Sequence, residues 1–111
     1  MSKQEILGSE WDDIRSLLFQ ARKVSEAHFK RHGSKWTLWE QLNHVHSEVS
    51  ELYEGLRCNK GDGNILEEIW DVFFSVITIG HLMEFTDEQM LRGMVTTLRK
   101  IQGRVKEAAQ V

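Results

Sequence analysis

Four carboxylates stand in two pairs at three-residue spacing, Glu48 with Glu51 and Glu68 with Asp71. Residues three apart on a helix share a face, so each pair directs two like charges to one side. At about 100° per residue, His44, Glu48, Glu51 and Gly55 fall in one narrow sector, beside an apolar stripe of Leu42, Val45, Val49 and Leu52. The same geometry gathers Asn64, Glu68, Asp71, Ser75 and Thr78 into a polar seam on an otherwise apolar segment. If the two seams face each other, four carboxylates converge, and they cannot all stay ionised away from water without compensating charge. A divalent cation supplies it. The ligands are all oxygen, with neither a Glu-x-x-His nor a His-Glu-x-x-His pattern among them, which suits Mg²⁺ or Mn²⁺. Hard cations that keep waters in carboxylate clusters usually serve phosphate substrates.

Each of these residues also has a plainer reading. Most Glu on helices are solvated, so Glu48 and Glu51 alone carry little weight. Asp71 carries more, because Asp is a poor helix former and this one is flanked by Ile69, Trp70, Val72 and Phe73. His44 and His46 are two apart and lie on different faces, so they cannot share a metal within one helix. Trp36 and Trp39, just ahead of the first acidic pair, can wall a pocket for a planar ring, with His44 beside it. Cys58 is the only cysteine, so it forms no disulfide within the chain, and no adjacent base activates it.

The elements that must hold these residues are helices. Proline is absent, and apolar residues recur at three- and four-residue spacing throughout the 111 positions. Four helices are predicted. The first spans Ser9 to His32, with Ser9 as N-cap and Gly33 as its end, and the second follows a capping-box pattern at Thr37-Leu38-Trp39-Glu40 and ends near Arg57. A turn cluster over Cys58–Asn64 precedes a third helix from about Ile65 to Glu84, and Thr86-Asp87-Glu88-Gln89 opens the fourth toward Ala108. The third is apolar round most of its circumference, which predicts burial, partly against another subunit.

Composition narrows the class. With 41% hydrophobic and 28% charged residues the chain should fold as a single domain, 1–111. The net charge of -3 gives no affinity for a nucleic-acid polymer or an anionic membrane, and no segment is apolar enough to span one. Residues 36–91 hold Arg57 and Lys60 against eleven acids, while residues 92–111 carry five basic side chains against Glu107 alone. A lone cysteine suits a reducing compartment, so the expected location is cytoplasmic.

Glu48-Val49-Ser50-Glu51 and Glu68-Ile69-Trp70-Asp71, on consecutive helices joined by a short loop, resemble the ExxE and ExxD motifs of MazG-like nucleoside triphosphate pyrophosphohydrolases. Trp36-Thr37-Leu38-Trp39 resembles the aromatic entry to the first metal-binding helix of that family. Lys100 with Arg104 resembles the basic end of its Asn-x-Lys-Phe-x-x-Arg segment, although Leu98 stands where the Asn would be and Ser47 where many members have a second Glu. The resemblance implies an all-α, four-helix bundle-like domain, assembled as a homodimer or homotetramer. It implies hydrolysis of (deoxy)nucleoside triphosphates to monophosphate and pyrophosphate, a house-cleaning of nucleotide pools. It further implies Mg²⁺ (or Mn²⁺) on Glu48, Glu51, Glu68 and Asp71, with Glu51 as the base. Lys35, Lys100 and Arg104 are then the phosphate-binding candidates, and Trp36, Trp39 and His44 the base-binding ones. The competing expectation is a non-catalytic helical module whose acidic face binds a basic partner.

Overall fold

The computed structural model describes residues 9–33 and 36–110, and every regular element among them is an α-helix. The order is α1 (Ser9–His32), α2 (Leu38–Arg57), α3 (Asp62–Leu82) and α4 (Asp87–Ala109). None of these helices is long and apolar enough to cross a membrane. The chain divides into two compact units: Ala21–Glu84, and the segments Met1–Gln20 with Phe85–Val111.

The first unit is organised around the α2–α3 hairpin. Thr37 caps α2 by accepting from the Glu40 amide at 3.3 Å, as its position before the apolar stripe predicts. At the other end Asn59 adopts a left-handed φ of 51°; its amide reaches Leu56 O, and that of Lys60 reaches Gly55 O. These two bonds satisfy carbonyls that the helix end would otherwise leave orphaned. Gly61, at φ 98°, then starts α3, so the helix begins at Asp62 instead of Ile65. The cluster of turn-forming residues is thus only partly a turn: Asp62, Gly63 and Asn64 form the first turn of α3, where an acid complements the helix dipole. The same helix stops at Leu82, two residues short of the predicted end, because Glu84 takes a left-handed φ of 61°.

Polar groups tie the three helical segments of this unit together. Gln41, 3% exposed, donates from Nε2 to Ser75 O at 2.8 Å and accepts from Trp36 Nε1 at 2.9 Å. Ser25 on α1 meets His81 Nδ1 on α3 at 2.9 Å. Burial on α3 is confined to Ser75, Ile77 and Gly80. Among the described residues the enclosure predicted for this helix is not found, and Leu66, Ile69, Trp70, Phe73 and Val76 are exposed.

In the second unit Arg15 bridges Asp12 at 2.7 Å and Glu88 at 2.8 Å. Leu91 is completely buried there, and Thr86 forms a full capping box with Gln89. The seam that Leu91 begins continues along α4 through Leu98, Ile101 and Val105, all exposed. The side chain of Ser9, expected to cap α1, lies outside the described residues.

Candidate metal centre and adjoining cavity

Two polar seams meet across the α2–α3 hairpin beside Gly55, which is buried on α2. A Cβ at Gly55 would lie 3.9 Å from Asn64 Oδ1 and 4.0 Å from Glu68 Cγ. One carboxylate oxygen each from Glu48, Glu68 and Asp71 then lies within 4.8 Å of the others. His44 Nε2 sits 3.3 Å from Glu48 Oε1, one turn earlier on the same helix. The second oxygen of Glu48 and that of Glu68, Oε2 in both, are buried without a hydrogen-bond partner.

The electrostatics follow from this crowding. Loss of hydration, then the charges of Glu51, Asp71 and Glu68, raise the Glu48 carboxyl above its ordinary value, with His44 opposing. Glu68 is raised too, by loss of hydration first and then by Glu51, Asp71 and Glu67, with Lys60 opposing. Anionic oxygens that are crowded, partly dehydrated and unpartnered are what a hard cation relieves, and the all-oxygen donor set fits Mg²⁺ or Mn²⁺ chemistry.

Glu51 stands slightly apart from the trio. It lines a neighbouring depression with Ser50, Glu54, Lys60 and Glu68, close enough for its charge to act on both Glu48 and Glu68. Burial departs from expectation in one respect. Glu48 and Glu68 are half-buried, but Asp71 and Glu51 are exposed, and so are Ile69, Trp70 and Phe73 around Asp71.

Beside the cluster lies a cavity of about 280 Å³, lined by Glu48 and Asp71 together with Trp36, His28 and Phe74. Trp36 packs edge-on against His28, with ring centroids 4.6 Å apart, and its indole N–H is held by Gln41. Burial, helped by His32, His44 and Arg31, lowers the pKa of His28 and favours the neutral ring.

Of the residues expected to bind a base, Trp36 and His44 line this cavity. Trp39 is not among its lining residues and is 70% exposed, because its place in the first turn of α2 turns it outward. Lys100 and Arg104 are exposed on α4, in the other compact unit, and Lys35 lies outside the described residues. Sequence reasoning missed His28, Ser25 and Gln41. They belong to no local motif, and only the four-residue spacing of His28 and His32 on α1 hinted at a shared ring face.

No protein-family model, curated protein or solved structure matches the chain. The site's own chemistry is that of three crowded carboxylates beside an aromatic-walled cavity, a candidate for holding a hard cation.

Proposed function

We propose that the chain is a Mg²⁺-dependent nucleoside triphosphate pyrophosphohydrolase of the MazG-like kind, cleaving between the α and β phosphates to give monophosphate and pyrophosphate. The observation that carries this reading is the convergence of Glu48, Glu68 and Asp71 within 4.8 Å, with buried, unpartnered oxygens on two of them. These three would hold the cation, with Glu51 completing the set. Mg²⁺ supplies positive charge against the triphosphate oxygens and acidity to a water nucleophile. Glu51, exposed beside the cluster, would be the base that takes the proton from that water. Trp36, His28 and Phe74 would enclose the base, so that the phosphates extend toward the carboxylates at the cavity mouth. Lys100, Arg104 and Lys35 are the candidates for the outer phosphates.

The exposed apolar face of α3 supports assembly as a homodimer or homotetramer, since contiguous apolar patches of this extent mark interaction sites. Removal of unwanted nucleotides in the cytoplasm is the role such an activity would serve.

The exposure of Glu51 and Asp71 is also what an acidic docking face for a basic partner would present. The aromatic cavity adjoining the acids favours the catalytic reading, because a docking face has no use for it. A screen of common and damaged dNTPs with Mg²⁺, reading pyrophosphate and monophosphate release, separates the two. Turnover abolished by chelation is expected; diphosphate with orthophosphate, or no turnover at all, overturns the assignment.

A further inference from the structure

The wall of the cavity formed by α1 and α3 carries three hydroxyls, and each reaches a carbonyl of its own helix. Ser25 Oγ donates to Ala21 O at 3.0 Å, Ser75 Oγ to Val72 O at 2.8 Å, and Thr78 Oγ1 to Phe74 O at 2.9 Å. A hydroxyl has one proton and two lone pairs, so while it donates to a carbonyl of its own helix it offers a guest only its lone pairs. The 2.9 Å contact between Ser25 Oγ and His81 Nδ1 is a further hydrogen bond, whose donor depends on the imidazole tautomer. Ser25 and Thr78 oxygens lie 3.3 Å apart, long for a hydroxyl–hydroxyl bond. Ser25 and Ser75 are each 5% exposed, whereas Thr78 is half-buried and the most accessible of the three. What this wall offers a guest is lone pairs.

We propose that the cavity selects nucleobases bearing a ring amino group, as in cytosine and adenine, over their oxo counterparts uracil and hypoxanthine, with Thr78 Oγ1 accepting the amino N–H. This rests on the nucleotide reading of the site. An amino group stacked against Trp36 and Phe74 finds an acceptor on the wall. A carbonyl in the same place is paired only if Thr78 Oγ1 swings its proton off Phe74 O. A site that must hydrogen-bond its ligand discriminates strongly against the analogue that lacks the complementary group.

The test uses the full chain with Mg²⁺ and the α,β-methylene analogues of dCTP and dUTP, which cannot be cleaved at the α–β bridge, titrated calorimetrically. The dCTP analogue is expected to bind about tenfold tighter than its dUTP counterpart, the effect of one buried hydrogen bond. Thr78→Val, which keeps the branched shape, should bring that ratio close to unity, and Thr78→Ser should restore it. The wild-type ratio decides the preference by itself: equal or tighter binding of the dUTP analogue overturns the proposal. A ratio that Thr78→Val leaves unchanged, in protein that melts like wild type, overturns the role of Thr78. Failure of both analogues to bind overturns the nucleotide reading itself, and the amino preference with it.

Discussion

Neutralising Glu48 should stabilise the metal-free protein and abolish its response to Mg²⁺. The side chain of Glu48 is only 14% exposed, like charges on Glu68 and Asp71 lie within 4.8 Å, and that of Glu51 acts on it too. Coulomb repulsion between two unit charges at that separation is about 0.9 kcal/mol at the dielectric of water and about 3.5 kcal/mol at an effective value of 20. Asp71 is exposed, so the lower figure governs, and Glu48→Gln should raise stability by about 1 kcal/mol. In a domain of this size that is a rise in Tm of about 4 °C. Gln keeps the shape and still offers an acceptor to His44 Nε2, losing only the charge part of that contact. Wild-type protein at a hundredfold excess of Mg²⁺ over Kd should gain about 2.7 kcal/mol, and the variant little of it. The assay is thermal melting at pH 8, with EDTA and with Mg²⁺, for Glu48→Gln and Asp71→Asn made singly, alongside turnover. If the carboxylates were structural partners of buried cations, each change would strand a charge and cost about 3 to 5 kcal/mol. A large fall in the metal-free Tm of both variants would therefore refute the cation-centre argument.

The raised carboxyls of Glu48 and Glu68 bind protons more tightly folded than unfolded, so in EDTA the folded state should gain stability as pH falls from neutral toward the ordinary carboxyl value. Mg²⁺ needs both deprotonated, so its stabilisation should shrink over the same window; a metal-free Tm that rises with pH there contradicts the crowding. Gly55→Ala should be tolerated and stabilise α2 by about 0.5 to 1 kcal/mol, since helix propensity favours Ala and the added Cβ meets neighbours only at 3.9 Å and beyond. Denaturant titration checks it, and a loss of stability would mean that the helices approach more closely than described. Thr86→Ala removes an N-cap whose hydroxyl accepts from Gln89 N at 3.1 Å and should cost about 1 kcal/mol in the same assay. Sedimentation should find a dimer or tetramer that Trp70→Glu with Phe73→Glu dissociates, and a wild-type monomer at micromolar concentration would remove the interface assigned to α3.

Helical class and most helix ends were legible in the sequence because they depend on neighbours along the chain. A Thr three residues before Gln89, a Gly after His32, and apolar spacing of three and four act through hydrogen bonds and faces that close within one or two turns. The facing of the two acidic seams was also legible, since a short turn forces α2 and α3 to run antiparallel and leaves few ways to pack them. The start of α3 was misread where propensity competes with context: Asp62, Gly63 and Asn64 favour turns, yet with Gly61 preceding them they complete a helix. What only the tertiary structure decided is which side chains from separate helices share one space. His28, Gln41 and Thr78 meet around the cavity because α1, α2 and α3 converge there, and no spacing within a single helix encodes that meeting. Nor could periodicity tell that Asp71 stays exposed while Ser75, one turn on, is buried. Both lie on the same seam, and their burial depends on how far the neighbouring segments extend along it.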